Sequence, residues 1–261
     1  MMSHKLYIFL TIVITLCIHT ACSKRVNTEI TPPSMSAEQM GATIALAEQF
    51  FKQREDVSKL REAVDLLGKA RNWREPNFDV EWKYSRYSYF LGKQTSEQKE
   101  AEKIFAAGRD AGQTAAGLQP TRAEGHFWYG ANLGELARLD PLITGVKSVS
   151  EIRTAMNKVI EIDPSYQNSS AYDALAQVEL ETRFTGGSAQ KAAELIEKAL
   201  TTEKDNSNLH LHLAMAYLKL DREDDARKQL EEIMKMKPNP DYVIEYRECV
   251  DKAKKLLASK F

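Results

Sequence analysis

Residues 206–238 read NSNLHLHLAMAYLKLDREDDARKQLEEIMKMKP, two apolar helical patterns separated by a polar segment. Ala214 and Ala226 are small enough to let two antiparallel helices cross at close range, and the larger apolar residues beside them fill the neighbouring grooves. The acidic run 221–225 suits a turn and the start of the second helix, because carboxylates are favoured near a helix N-terminus. Pro238 ends that helix, since proline supplies no N–H donor. The stretch therefore predicts a helical hairpin.

The spacing within this hairpin resembles the tetratricopeptide repeat, a helix–turn–helix unit of about 34 residues. The resemblance is carried by small or apolar positions and by the closing proline. They are Leu213, Ala214, Tyr217, Ala226, Leu230, Ile233 and Pro238. One such hairpin cannot bury its own apolar faces, so neighbouring hairpins are expected to stack on it.

The apolar pattern of the second helix recurs along the chain. Each copy places three small or apolar residues at a step of four and then three, which puts them on one helix face. The copies are Ala63/Leu67/Ala70, Ala101/Phe105/Gly108, Ile152/Met156/Val159, Ala192/Ile196/Ala199 and Ala226/Leu230/Ile233. We therefore predict an all-α fold over residues 36–261. It is a right-handed solenoid of five tetratricopeptide-like hairpins, with about ten main helices.

The N-terminus predicts a secretion signal over residues 1–21. Its apolar run, Leu6–Ile18, is too short for a full membrane span. A small residue before Cys22 resembles a bacterial lipoprotein cleavage site, which implies that Cys22 carries the lipid and that residues 22–35 form a tether; the alternative is an ordinary secretory signal. Ser23, rather than an aspartate, resembles sorting to the outer membrane. We thus expect a lipid-anchored protein at the outer membrane, facing the periplasm.

Composition and motifs argue against catalysis and against nucleic-acid binding. The formal net charge of −1 gives no electrostatic reason to expect a nucleic acid. The sequence contains no HExxH, GxSxG or GKS/T motif. His210 and His212 are two residues apart and point to different sides of a helix, so they are poorly placed to share a metal. Cys249 is the one cysteine after Cys22, which leaves no intramolecular disulfide if Cys22 is acylated. We predict no enzymatic activity, no cofactor and no metal.

A longer resemblance covers roughly residues 40–235. Its most specific parts are Glu124–Gly134, Val146-Lys147 with Glu151-Ile152-Arg153, and Asp163–Tyr166. They look like the T-component family of tripartite ATP-independent periplasmic (TRAP) transporters. Membership would imply a helical-repeat lipoprotein that acts beside the transporter's solute-binding protein. The chain departs from the family at Gln167–Ser170, where the family tends to have glycine and proline.

The same resemblance draws attention to Trp128, Tyr129 and Asn132, with His126 offset from them on the helix. An aromatic side chain and an amide facing a groove could hold a peptide or a small solute. Alternatively, Trp128 anchors the core and Asn132 bridges a helix pair. Trp128 and Tyr129 lie about 100° apart on a helix, so at most one of them can face the core squarely.

Aromatic residues also crowd the first helix of the second hairpin. They are Phe78, Trp82, Tyr84, Tyr87, Tyr89 and Phe90. They form either core or the lining of a ligand cavity, and Trp82 is our candidate for a binding residue among them.

Two classes of function are compatible with these patterns. The first is an accessory component of a TRAP-type transporter that binds the solute-binding subunit and a ligand. The second is a generic repeat scaffold for protein–protein interaction in envelope assembly. In both classes, the expected partner is an envelope protein and the lipid anchors the chain to the membrane. The repeat surface could also form a homo-oligomer.

Overall fold

The computed structural model describes residues 35–140, 145–182 and 186–261. Within these ranges the chain forms eleven α-helices and no strand, which confirms the all-α prediction. The helices are α1 (Ala37–Lys52), α2 (Val57–Ala70), α3 (Phe78–Gln94), α4 (Gln98–Leu118), α5 (Ala123–Leu139), α6 (Gly145–Ile162), α7 (Tyr166–Glu181), α8 (Ala189–Leu200), α9 (Ser207–Leu218), α10 (Glu223–Lys235) and α11 (Val243–Lys260). A 3-10 turn, Pro240–Tyr242, leads into α11.

Polar side chains fix where several helices begin. Before α1, Ser36 Oγ accepts a hydrogen bond from Gln39 N at 3.2 Å, and Gln39 Oε1 accepts one from Ser36 N at 2.9 Å. Asn77 and Asn206 each accept from two backbone N–H groups at the starts of α3 and α9. These bonds satisfy donors that the first turn of a helix leaves unpaired, so local sequence sets the helix starts.

Consecutive helices pack as antiparallel pairs, α1–α2 through α9–α10, and form five hairpins. The five predicted triplets lie on the second helices, and all their members are buried. The repeat prediction is thus confirmed. The described chain has one helix more than the five hairpins supply. This helix, α11, packs on α9 and α10 and buries Cys249 and Ala253 against that end of the stack.

Glycines allow α4 and α5 to approach each other closely. A Cβ atom added to Gly112 would lie 2.6 Å from the backbone nitrogen of Tyr129, and one on Gly125 would collide with the backbone at Ala116. No side chain fits at either place. The pair α4–α5 is therefore held by direct backbone approach, which fixes the orientation of the Trp128 face of α5.

The first helices of successive hairpins form one continuous surface. Helix α3 contacts α1 and α5, α7 contacts α5 and α9, and α9 contacts α11, whereas the second helices do not pack on one another to a comparable extent. A curved stack of repeats brings helices together on its inside. We call the surface formed by α1, α3, α5, α7 and α9 the inner face.

The last helix reaches back to the first hairpin. Arg54, just after α1, places Nη2 3.4 Å from Oε1 of Glu245 on α11, and the two side chains are 12% and 22% exposed. Arg247 and Glu55 form a second pair at 3.4 Å, in an exposed position. We call these two ion pairs the terminal contact. Arg54 and Glu245 are 191 residues apart in the sequence.

The entry to α7 has an unusual backbone. Gln167, Asn168 and Ser169 have φ of 51°, 54° and 60°, the left-handed region that side chains disfavour. Asn206 Nδ2 donates to the Asn168 carbonyl at 2.7 Å, and Tyr242 OH donates to Gln167 Oε1 at 3.1 Å. These bonds from later elements stabilise a turn at the place where the chain departs from the T-component pattern.

The predicted signal (residues 1–21), Cys22 and nearly all of the tether lie outside the described residues and stay predictions. In the part of the chain that is described, no helix is both long enough and apolar enough to cross a membrane.

Candidate functional site

Trp128 and Tyr129 point toward different neighbours, as their spacing predicts. Trp128 is 3% exposed, and its Nε1 donates to Tyr166 OH at 3.2 Å. Tyr129 is half-buried, and its hydroxyl donates to Glu151 Oε2 on α6 at 2.6 Å. Burial, assisted by this hydrogen bond, raises the pKa of Tyr129 to about 12. Trp128 is thus the core-facing residue of the pair, and Tyr129 retains access to solvent.

Asn132 bridges α5 to α3. It is fully buried, and its Nδ2 donates to the Ser85 carbonyl at 3.0 Å and to the Trp128 carbonyl at 2.8 Å. Its Oδ1 lies where a side chain on Gly108 would otherwise be, and has no hydrogen-bond partner in the described chain. This geometry is that of the bridging alternative. Buried polar groups that pair across helices set one arrangement of those helices.

His126 and Trp82 make local contacts. His126 Nε2 lies 3.0 Å from the Pro120 carbonyl, in the turn between α4 and α5. Trp82 is half-buried, and its Nε1 donates to Asp79 Oδ1 at 3.0 Å. The Trp82 ring packs against the same apolar cluster as Trp128 and Tyr129. The structure thus gathers the three aromatic candidates around one cluster, and their role in binding stays a prediction.

Trp128 belongs to a row of rings that runs across four first helices, α1, α3, α5 and the start of α7. Phe51 of α1 lies 5.4 Å from Phe90 of α3, and Phe90 lies 5.8 Å from Trp128 of α5, measured between ring centroids. Phe127 continues the row to Tyr166 at 5.3 Å. We call Phe51, Phe90, Phe127, Trp128 and Tyr166 the aromatic row. Rings at these distances attract one another, and they make this part of the inner face rigid and apolar.

Two arginines lie over the aromatic row. The guanidinium carbon of Arg54 is 5.2 Å from the centroid of Phe51 and 5.3 Å from that of Phe90. The guanidinium carbon of Arg86 is 4.6 Å from the centroid of Phe51 and 5.7 Å from that of Trp128. A cation over a ring face is attracted to the electron-rich surface of the ring. On the inner face, two positive charges therefore lie over the rings of the aromatic row.

Sequence reasoning did not single out either arginine. Arg86 is embedded in the aromatic run of the second hairpin, four residues after Trp82 and four before Phe90, and that spacing places the three on one helix face. This signal could have found Arg86. No sequence signal pointed to Arg54, because its partner Glu245 belongs to a helix outside the five predicted hairpins.

A separate open pocket of about 410 Å³ lies between α8, α9 and α10. Three of its polar side chains are paired: His210 contacts Gln229 at 2.7 Å and the Lys204 carbonyl at 2.9 Å, and Lys235 contacts Glu232 at 2.8 Å. Across residues 35–140, 145–182 and 186–261, no group of histidine, cysteine or acidic residues could hold a metal ion. The aromatic row with its arginines is thus the stronger candidate site.

Family models match two parts of the chain. Residues 43–172 match the family described as Regulator of microtubule dynamics protein 1-3, and residues 184–243 match the Tetratricopeptide repeat. The chain is a tetratricopeptide-like helical-repeat protein. The whole aromatic row lies within the first match, and the helical hairpin of residues 206–238 lies within the second.

Solved structures agree with this assignment of the fold. The tetratricopeptide-like chain resembles TTC0263, a thermophilic TPR protein of Thermus thermophilus, with a TM-score of 0.61 and 17% identity over 84% of this chain and 99% of the other. It also resembles PilF of Pseudomonas aeruginosa, with a TM-score of 0.53 and 17% identity over 85% of this chain and 92% of the other. A search of curated proteins gave no significant match.

Proposed function

We propose that this tetratricopeptide-like protein is a scaffold that binds another protein along its inner face. The observation that carries the proposal is the aromatic row beneath Arg54 and Arg86, which runs across α1, α3 and α5 to the start of α7. Aromatic residues and arginine are the residue types that contribute most to protein–protein binding. Helical repeats of this kind generally act as binding surfaces rather than as enzymes, because stacking creates an extended concave face.

Phe51, Phe127 and Trp128 form the buried base of the row, so a partner would contact the half-buried rings of Phe90 and Tyr166 and the arginines over the row. The rings of the row are fixed by neighbours from different hairpins, so little conformational entropy remains to be lost when a partner arrives. Trp82 extends the same face of α3 toward solvent and would contact a partner at the edge of the row.

Site-directed photocrosslinking tests the proposal. A benzoylphenylalanine at position 82 is expected to crosslink a protein partner in the native cells, because Trp82 lies beside the row. The matched control places benzoylphenylalanine at position 65 instead, where the native Asp65 is exposed on α2, the second helix of the first hairpin. Equal crosslinking from both positions, or none from position 82, would refute binding at the inner face.

We further propose that a lipid on Cys22 holds the scaffold at the outer membrane, facing the periplasm. The support is the sequence around Cys22. Radiolabelled palmitate should enter the wild type and should not enter Cys22→Ala, and the wild type should fractionate with membranes. Label retained by the variant, or a freely soluble wild type, contradicts this anchor.

The role of a TRAP T component is the more specific alternative. Its support is the resemblance around Glu124–Gly134, and none of the matches described above is to that family. If it holds, the partner crosslinked at position 82 is a solute-binding protein. Recovery of envelope-assembly proteins instead would favour the general scaffold.

A further inference from the structure

Arg86 occupies a central place on the inner face. It projects from α3 with Trp82 and Phe90, and its guanidinium covers Phe51 of α1 and Trp128 of α5. One cation thus rests on rings from the two flanking hairpins.

Among the described residues, no carboxylate pairs with the charge of Arg86. Within the described part of the chain it makes neither an ion pair nor a hydrogen bond, and its Nε is buried without an acceptor. Nε is the one Arg86 nitrogen that is both buried and unbonded, and the residue as a whole is half-buried, so its terminal nitrogens are partly exposed on the inner face. A guanidinium is built to donate two parallel hydrogen bonds to one carboxylate, and here that capacity is unused.

Arg54, the other arginine over the row, shows that a guanidinium in this position can pair with a carboxylate. Arg54 also lies over Phe51, and the carboxylate of Glu245 from α11 reaches its Nη2. In the sequence, Glu245 stands between Ile244 and Tyr246, an acid flanked by apolar side chains. Two arginines therefore lie over the aromatic row; Arg54 pairs with a carboxylate of the chain, and Arg86 pairs with none among the described residues.

We propose that Arg86 is the receptor for a carboxylate of the protein partner, an Asp or Glu side chain flanked by apolar residues. The assignment rests on the proposed scaffold function and names the partner's chemistry. The carboxylate pairs with the terminal nitrogens of Arg86, and the flanking apolar groups contact Phe90 and Trp82, the half-buried aromatic side chains on the same face of α3. Because the Arg86 guanidinium already lies over the rings of Phe51 and Trp128, binding requires little reorganisation of the site.

Matched peptide pools test this assignment on the chain from residue 22 onward, with Cys22→Ser. One pool consists of short fluorescein-labelled peptides with a central Glu between apolar residues, and the other carries Gln in place of Glu. Fluorescence anisotropy is expected to show at least about tenfold tighter binding of the Glu pool, as expected for a charge-assisted bidentate contact. Arg86→Met should abolish the difference, because methionine keeps the apolar packing and removes the charge. Arg86→Lys should leave a smaller preference, since it keeps the charge without the planar fork.

Arg227→Met is the control variant. Arg227 also lies over a ring, that of Phe261 at 4.7 Å, but it is exposed on α10, so its replacement should leave peptide binding unchanged. Equal binding of the two pools, no binding of either, or a Glu preference that survives Arg86→Met overturns the assignment. So does a phosphoserine pool that binds more than about tenfold tighter than the Glu pool, because it points to a phosphopeptide. If the partner is still crosslinked at position 82 in Arg86→Met with unchanged yield, the carboxylate assignment fails while the scaffold function stands.

Discussion

Cys249 shows at the scale of one residue how burial controls chemistry in this fold. It is 1% exposed, and its Sγ lies 2.9 Å from Asn208 Oδ1. Burial is the largest cause of the raised pKa of this thiol, which is about 11. The reactive form of cysteine is the thiolate, so the folded protein keeps this side chain in its inert form at neutral pH.

We predict that Cys249 resists alkylation in the folded protein. In a chain that begins at Ser23, Cys249 is the one cysteine present. Iodoacetamide at pH 8 should label it slowly when folded and rapidly in urea, as followed by mass spectrometry. The raised pKa also makes the stability depend on pH. The stabilisation that comes from burying the neutral thiol is fully present below about pH 9, the ordinary pKa, and is lost as the pH rises through about 11. Rapid labelling of the folded protein at pH 8 would contradict the buried position.

At the scale of secondary-structure elements, the pair α4–α5 depends on the absence of side chains. Gly112 faces the backbone of Tyr129, while Gly117, further along α4, has open space around its Cα. Both glycines are on α4, but only Gly112 has a neighbouring backbone against it. Substituting each by alanine therefore distinguishes the effect of close packing from that of helix propensity.

Gly112→Ala should destabilise the protein by about 1–3 kcal/mol, because the added methyl group forces two backbones apart. Gly117→Ala should raise stability by about 0.5–1 kcal/mol, since alanine favours the helix and meets nothing. Urea unfolding followed by circular dichroism measures both. If Gly112→Ala stabilises as Gly117→Ala does, α4 and α5 do not cross as described.

Much of the element scale could be predicted from the sequence. Triplets such as Ala192/Ile196/Ala199 each indicate one buried helix face, and this spacing is visible in the sequence without knowing which helix packs on that face. Helix α11 was missed as an addition to the stack because it lacks the spacing of the repeats. The spacing of Arg86 from Trp82 and Phe90 places it on the aromatic face of α3, but it does not show which rings its guanidinium covers. Its environment is built from α1 and α5, which only the stacked fold brings together.

At the scale of the whole molecule, the terminal contact links the two ends of the helical stack. Arg54–Glu245 is largely shielded from solvent, whereas Lys235–Glu232 joins neighbours on the exposed side of α10. Exposed pairs contribute little, since water and salt screen them. The shielded pair connects the first hairpin to the last helix and should contribute more.

Glu245→Gln should therefore lower the free energy of unfolding by about 1 kcal/mol, because it leaves the shielded guanidinium of Arg54 without that carboxylate. Glu232→Gln, which breaks the exposed pair on α10, should leave stability unchanged within error. Urea unfolding of both variants at low salt tests this. Equal effects of the two substitutions would mean that the ends of the stack are not held together by Glu245.

A chain of repeats that interact with nearest neighbours alone can lose structure from either end, one unit at a time. Joining first and last units removes both free ends, so fraying at one end must also break an interaction at the other. Such closure favours all-or-none unfolding and uniform hydrogen-exchange protection from α1 to α11. It also slows folding, because a contact between residues 191 apart forms only after a long loop has closed. We therefore expect this protein to unfold more cooperatively than an open array of the same repeats.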